Sequence, residues 1–351
     1  MSSAKKVSPS VIVGRRGLGK SMGDYDIGQR QPVRIRIDCA NALTFSTDVL
    51  VLKHAQALYG LDAAVVEKLS EKQVEIASPK QGSVEIVESL GAIAATRVMF
   101  VGVCELRRFS YTEIRDFARR SLASLASQDY GITSVAFTIH GPGYGLDENE
   151  SFDSQLAGLL EAIESGAVPE SLTDIHIIEL NKNRAKRLDE RLSSLLPEDS
   201  VVTSRGGTPH YADSLKNAGF GSSSKPHVFV AMPFAKEMDD TFHYGIQGAA
   251  YASGFLCERA DLSTFTGDVL DWVKARISTA ELVVADLSSA NPNVYLEVGY
   301  AWGCKVPTVL LARNSKELKF DVRGQRCIVY SSIKELEDKL SAELSGLRTR
   351  R

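Results

Sequence analysis

Apolar and polar positions along this chain repeat with two periods. Val33-Arg-Ile-Arg-Ile37 alternates with the period of two expected of a half-buried strand. Asp48-Val-Leu-Val-Leu52 and Arg97-Val-Met-Phe-Val-Gly102 are short apolar runs of the kind found in buried strands. From Tyr111 to Gln128 the spacing changes to helical, with Ile114, Phe117, Leu122 and Leu125 on one face and charges between them. Ser134-Val-Ala-Phe-Thr-Ile139 is a further strand, running into His140-Gly141-Pro142-Gly143-Tyr144-Gly145. A helix over Ser151–Glu164 closes at Gly166 and Pro169. Ile175–Glu179 reads as a strand, and Asn183–Leu196 as a basic helix stopping at Pro197. Strands alternating with helices predict a largely parallel sheet covered on both faces.

The alternation stops after Pro197. Thr203–His210 and Gly219–Pro226 are rich in turn residues, with a short helix expected over Tyr211–Asn217. It then restarts. His227–Ala231 is a strand and Phe242–Ser253 a helix ending before Gly254. A short strand precedes Cys257-Glu-Arg-Ala-Asp261. Asp268–Thr279 is a helix, Leu282–Asp286 a strand and Tyr295–Cys304 a helix. Pro307–Leu311 and Cys327–Tyr330 are strands, and Ile333–Leu347 is a closing amphipathic helix. No repeat of fixed period interrupts this order. The expected organisation is a basic N-terminal arm (1–32), an α/β domain (33–200), a linker (201–225) and a second α/β domain (226–351), the two domains folding independently.

Composition narrows the function classes. The chain has 351 residues, 44% hydrophobic and 24% charged, which excludes collagen-like and wholly disordered architectures. Lys plus Arg number 41 against 44 Asp plus Glu, so no global field favours a polyanion, and nucleic acid is not an expected partner. No apolar run is long enough to span a bilayer, and Met1–Ser10 lacks a signal-peptide core, so no membrane partner and a soluble, cytoplasmic location are expected. Cys39, Cys104, Cys257, Cys304 and Cys327 are odd in number and far apart, which argues against a disulfide framework or a zinc site. His227 and His243 have no ligand partners at suitable spacing, so no metal is expected. Gly14-Arg-Arg-Gly-Leu-Gly-Lys20-Ser21 matches the G-x-x-x-x-G-K-S phosphate loop, with Val11-Ile12-Val13 as the candidate strand before it. Such a loop must open a helix; Gly23, Gly28 and Pro32 follow instead, so an NTPase site is not expected.

Chemistry concentrates in the second domain, where three loops leave the carboxyl ends of strands. The first carries Met232, Pro233 and Phe234, and the second Arg259 and Asp261. The third runs from Asp286 through Asn291-Pro292-Asn293 into the helix holding Glu297. Asn and Pro suit a helix start, which places Glu297 in about the first turn, where the helix dipole would keep a carboxylate ionised and nucleophilic. The plainer reading makes Glu297 a helix-capping acid and Asp286 a turn residue. A fixed carboxylate can stabilise or capture the cationic ribosyl centre that forms as an N-glycosidic bond breaks. Arg259 can hold a phosphate, and Asp261 or Asp286 a ribose hydroxyl. Phe234 and Tyr295 can stack on a base or pack as rim aromatics.

Val228-Phe-Val-Ala-Met-Pro-Phe234, Cys257–Asp261 and Ala285-Asp-Leu-Ser-Ser-Ala-Asn-Pro-Asn-Val-Tyr-Leu-Glu-Val-Gly-Tyr-Ala301 together resemble the nucleoside 2-deoxyribosyltransferase-like group. That group is related to the TIR fold and includes TIR-like bacterial defence effectors. The likeness covers residues 226–330. In the family the glutamate of this segment attacks the anomeric carbon of an N-glycoside, and Glu297 is the acid that matches. The transferases proper approach that helix through glycine and aspartate; Asn-Pro-Asn departs from this and points to the TIR-like branch. The resemblance therefore implies cleavage of NAD or a related nucleotide within an antiviral defence system. NAD would be the substrate, with no cofactor, and activity would need a homo-oligomer. Two alternatives stay open: a non-catalytic nucleotide-binding adaptor that acts by assembly, and a nucleoside deoxyribosyltransferase.

Asn41–Asp62, Val98–Val103, Tyr111–Phe117 and Thr138-Ile-His-Gly-Pro-Gly-Tyr-Gly-Leu-Asp147 resemble the macro-like domain at the N-terminus of leucine aminopeptidases. The zinc-peptidase half is absent, so no peptidase activity is implied. Macro-like folds commonly bind ADP-ribose-type ligands, which implies a nucleotide-derived signal, or a protein trigger, at the first domain. His140, Gly141, Gly143 and Gly145 are the candidate ligand loop, since glycines let a backbone approach a phosphate closely. A tight turn with a packed histidine is the plainer reading. The expected fold class is two doubly wound, largely parallel α/β domains, macro-like and then TIR/flavodoxin-like.

Overall fold

The computed structural model describes residues 11–13, 32–56, 58, 60–105, 108–128, 131–196, 213–259, 269–314, 318–319, 322 and 324–348. The Gly14–Ser21 match, Asp261 and residues 201–212 of the expected linker lie outside the described residues. The chain divides into two compact units, Met1–His140 with Asn149–Ser223, and Gly141–Glu148 with Ser224–Arg351.

The first unit is built on strands β1 (Val11–Val13), β2 (Val33–Cys39), β3 (Val49–His54), β4 (Val84–Glu88), β5 (Arg97–Gly102), β6 (Ser134–Thr138) and β7 (Asp174–Glu179). Their order is β1-β2-β7-β6-β3-β5-β4, parallel except where β4 runs against β5. All six residues of β3 are buried: the apolar run Val49–Leu52, as a strand in a two-sided sheet should be, and the polar Lys53 and His54 at its end. The helices are α1 (Gly60–Ser70), α2 (Tyr111–Ala126), α3 (Glu148–Glu164), α4 (Lys182–Leu195) and α5 (Asp213–Asn217). Close packing of α3 on α2 needs Gly158, where an added Cβ would meet the Arg115 carbonyl oxygen at 2.1 Å.

Three features differ from the pattern-based expectation. Helix α3 starts at Glu148, three residues before Ser151. Its first turns carry Glu148, Glu150, Ser151, Asp153, Ser154 and Gln155, all buried yet polar, so hydrophobic periodicity cannot see them. Arg191 grips the Asp153 carboxylate at 2.5 and 3.0 Å, and the Ser222 hydroxyl donates to Glu150. Helix α1 and strand β4 have no counterpart in the pattern. The first opens on Gly60 at a φ of 51°, and the second is an edge strand without a fully buried residue.

The second unit holds β8 (His227–Ala231), β9 (Leu256–Glu258), β10 (Leu282–Asp286), β11 (Thr308–Ala312) and β12 (Cys327–Val329). All pairs are parallel, in the order β12-β11-β10-β8-β9. Renumbered from the end with β9, this is the 2-1-3-4-5 order of flavodoxin-like doubly wound sheets. Cys257 and Glu258 sit inside β9 rather than after it, with Glu258 fully buried against Arg276 at 2.5 Å. A π-wound stretch (Thr241–Gln247) runs into α6 (Gly248–Ala252), followed by α7 (Val269–Thr279), α8 (Pro292–Gly303) and α9 (Ile333–Arg348). Alternation along β8 feeds two cores. Val228 and Val230 pack with Ile246, Leu336 and Leu340, whereas Phe229 and Ala231 pack with Val273, Val294 and Val298. The described chain thus has the α/β class that the alternation predicts.

Candidate active site

In a sheet of this order the crossovers diverge between β8 and β10, and ligands bind outside the carboxyl ends of the strands at that point. The chain leaving β8 provides Met232 and Pro233, both buried, and the exposed Phe234. Arg259 follows β9, Asp286 ends β10 and Arg313 follows β11.

The loop after β10 is shaped to start a helix. Ala290 has a φ of 50°, a left-handed conformation uncommon for a residue with a Cβ. Asn291 then caps α8, its side chain accepting from the Asn293 N–H at 2.9 Å, and Pro292 fills the first helical position. Glu297 is consequently in the second turn, not the first. The expected stabilisation of its charge by the helix N-terminus does not follow, because that field falls off within one turn. Burial decides instead. Glu297 is 9% exposed and has no hydrogen bond or ion pair among the described residues. Desolvation alone pushes its carboxyl up to about 7. Near neutrality it is therefore divided between acid and carboxylate.

Asp286 is fully buried and both its oxygens are engaged. Oδ2 accepts the Tyr330 hydroxyl at 2.6 Å and Oδ1 the Ser288 N–H at 2.9 Å. Burial and the adjacent Asp286 charge push the Tyr330 hydroxyl up to about 12, against opposing hydrogen bonds from Ser288 and Arg313. Arg259 lies between two aromatic rings, its guanidinium carbon 4.1 Å from the Phe234 centroid and 4.0 Å from that of Phe242. Its Nη1 is 3.5 Å from the Met232 sulfur, and Nη2 is 3.9 Å from Asp239. The Tyr295 hydroxyl accepts from the Lys319 N–H at 3.3 Å. Arg259 thus touches both Met232 and Phe234, Asn291 and Asn293 form the cap, and Asp286 joins a separate network with Tyr330.

The candidate loop of the first domain divides between the two units. His140 is buried edge-on to Phe117, with ring centroids 4.8 Å apart, and its Nε2 has no hydrogen-bond partner among the described residues. Burial, with the nearby Lys53 charge, holds it well below the usual imidazole range, so it is neutral. Gly141 and Gly145 adopt φ values of 111° and 92° around a 3-10 turn over Pro142–Tyr144. The stretch Gly141–Glu148 belongs to the second unit. There the Gly145 carbonyl accepts the Arg259 N–H at 3.1 Å. The Asp147 carboxylate accepts the Tyr251 hydroxyl at 3.0 Å and the Cys257 N–H at 2.8 Å.

The sequence reading did not single out Thr241, Phe242, Ser288, Arg313 or Tyr330. The signal for Arg313 was present: it is the second residue beyond the Pro307–Leu311 run, at the same sheet edge as the other candidates. Among the described residues no cluster of His, Cys, Asp and Glu could hold a metal ion. No described helix is long and apolar enough to cross a membrane.

No protein-family model matches the chain, and no curated protein matches it. Solved structures do. The CMP N-glycosidase of Clostridium botulinum is 20% identical with a TM-score of 0.29, over 33% of this chain and 98% of that one. The Oceanobacillus iheyensis macrodomain solved with ADP is 14% identical with a TM-score of 0.35, over 45% of this chain and 88% of that one. The Trypanosoma brucei macrodomain in complex with ADP-ribose is 17% identical with a TM-score of 0.36, over 44% and 68%. At these scores the overlays carry no argument about chemistry, which rests on the side chains.

Proposed function

We propose that the second unit hydrolyses the N-glycosidic bond of NAD or a related nucleotide, with Glu297 acting at the ribosyl C1′. The carrying observation is the buried carboxyl of Glu297, without a partner among the described residues, beside the switch point of a doubly wound sheet. A buried acid held without a structural partner, with a strongly raised pKa, is what a functional site contains. In the reaction the C1′–N bond breaks and its electron pair leaves with the base. The Glu297 carboxylate faces the positive centre that forms, water adds to C1′, and the proton lost by that water passes through Glu297 to the solvent for NAD, whose nicotinamide leaves neutral, or to the departing base for a nucleotide whose base leaves as an anion. Arg259, braced between Phe234 and Phe242, offers a fixed cation for the anionic part of the substrate. What supports the wider setting, an effector of bacterial antiviral defence with a ligand-sensing first domain and activity on assembly, is the likeness of the sequence motifs.

Incubating purified protein with NAD and a panel of nucleosides and nucleotides, with products read by mass spectrometry, should yield free base and the ribosyl product. Glu297→Gln should stay folded and lose at least about a thousandfold in rate, roughly 4 kcal/mol of barrier. A folded Glu297→Gln protein that turns substrate over at the wild-type rate sinks the proposal.

A further inference from the structure

Arg313 is the first residue past the carboxyl end of β11, and its place is fixed from several directions. Its backbone N–H donates to the Ser288 hydroxyl at 3.0 Å, just beyond β10, where the Leu287 N–H also reaches the Leu311 carbonyl at 2.9 Å. Its Nη2 donates to the Thr241 hydroxyl at 3.0 Å, and Thr241, fully buried, opens the π-wound stretch that follows β8. Since β10 lies between β11 and β8, the Arg313 side chain crosses above the carboxyl end of β10. Its guanidinium carbon is 5.7 Å from the centroid of Tyr330, whose hydroxyl holds Asp286. Loops leaving β8, β10, β11 and β12 therefore converge on this one residue at the edge where a ligand would enter, Thr241 and Tyr330 at its guanidinium and Ser288 at its backbone.

Arg313 is nevertheless exposed, and among the described residues no carboxylate pairs with it. The other described arginines held in this unit are placed differently: Arg276 is bound to Glu258 at 2.5 Å, Arg326 to Glu343 at 2.8 Å, and Arg259 is flanked by two rings with Asp239 at 3.9 Å. A guanidinium presents five N–H donors in a planar fork that suits phosphate. A cation that is held in position, left without a counter-charge and turned to solvent is prepared for an anion from outside.

We propose that Arg313 reads a phosphate of the substrate, so that the glycoside cleaved at Glu297 is a phosphorylated nucleotide rather than a free nucleoside. This rests on the reading of Glu297 as the reacting group. The phosphate can be that of a mononucleotide or the pyrophosphate of a dinucleotide, and Arg313 would exchange its bond to Thr241 for bonds to the phosphate oxygens.

The test compares AMP, NAD and adenosine. Turnover is followed in the wild type, Arg313→Met and Arg313→Lys, and binding of the same ligands is measured by calorimetry in Glu297→Gln with and without Arg313→Met. The preference for a phosphorylated substrate, taken as the ratio of kcat/KM against adenosine, should fall at least tenfold in Arg313→Met and recover in part in Arg313→Lys. Whichever of AMP and NAD loses more identifies the phosphate that is read. A fall shared by all three ligands, leaving the ratio unchanged, makes Arg313 a merely structural residue and overturns the inference. No turnover of any ligand, combined with phosphate-dependent binding that Arg313→Met abolishes, refutes hydrolysis at Glu297 and upholds the role of Arg313. Absence of both turnover and phosphate-dependent binding overturns both.

Discussion

Asp62 and Glu297 occupy comparable places in the two units. Each lies on the helix that follows a central strand, Asp62 on α1 after β3 and Glu297 on α8 after β10, and each is almost fully buried. Desolvation raises the pKa of both. What separates them is the neighbour. Lys53 lies 2.8 Å from Asp62 with both side chains at most 4% exposed, whereas Glu297 faces no cation and no donor among the described residues. A buried charge with a partner is part of the framework; one without a partner costs stability and persists for another use. The pair in the first unit is thus structural, and the lone acid in the second is where chemistry is to be sought.

The largest expected effect breaks the first side of that comparison. Lys53→Met would leave Asp62 buried without its cation, at a cost of about 3–5 kcal/mol. A urea titration following the first unit should show this loss, and Lys53→Met with Asp62→Leu should recover most of it. A single variant as stable as the wild type would mean that Lys53 is not needed to hold Asp62, and the contrast with Glu297 would collapse.

A smaller effect sharpens the second side. The ordinary glutamate value is 4.5 and Glu297 is raised to about 7 in the folded protein. Between those values the unfolded chain has released a proton that the native state keeps. Stability is therefore fully present below about pH 4.5 and declines as pH rises toward 7, by about 3 kcal/mol in all. Activity that needs the carboxylate should run the other way, rising through the same midpoint. Glu297→Gln should flatten the stability profile and exceed the wild type above pH 7. A wild-type profile without the decline would show that the carboxyl is not desolvated.

How far the sequence reveals all this depends on which force fixes each element. Strands β3, β8 and β10 are built on the apolar runs Val49–Leu52, Val228–Ala231 and Leu282–Ala285, so burial writes them plainly into the chain. The start of α3 is not legible, because its buried face is polar and is satisfied by Arg191 and Ser222 from distant parts of the sequence. At the candidate site, Glu297 and its Asn-Pro-Asn cap are visible as local signals. Its protonation state is not, since desolvation depends on what packs over α8, and local order suggests the opposite sign. The aromatic clamp on Arg259 joins residues from three separate segments, and nothing near Arg259 in sequence announces Phe242. Nothing in the Gly141–Gly145 sequence announces the bond that its Gly145 carbonyl accepts from the Arg259 N–H, for the same reason.

The smallest expected effect separates the helix from the acid it carries. Asn291 contributes through its side-chain bond to the Asn293 N–H, so Asn291→Ala should cost about 1 kcal/mol, within the usual range for losing such a cap. Asn291→Asp keeps the acceptor and adds a negative charge where the helix N-terminus favours one, so stability should be retained or slightly raised. That charge would lie roughly 9 Å along the helix from Glu297, at the rise of an α-helix. Repulsion at that distance is worth about 0.5 kcal/mol in water and about 2 kcal/mol at the dielectric typical near a protein surface, and it disfavours ionisation of Glu297. The midpoint of the pH–rate profile should therefore move upward in Asn291→Asp and stay in place in Asn291→Ala, read on one nucleotide substrate at low ionic strength. Added salt should shrink the displacement. A midpoint that ignores the new charge, in a variant as stable as the wild type, would mean that the titrating group in the rate is not Glu297.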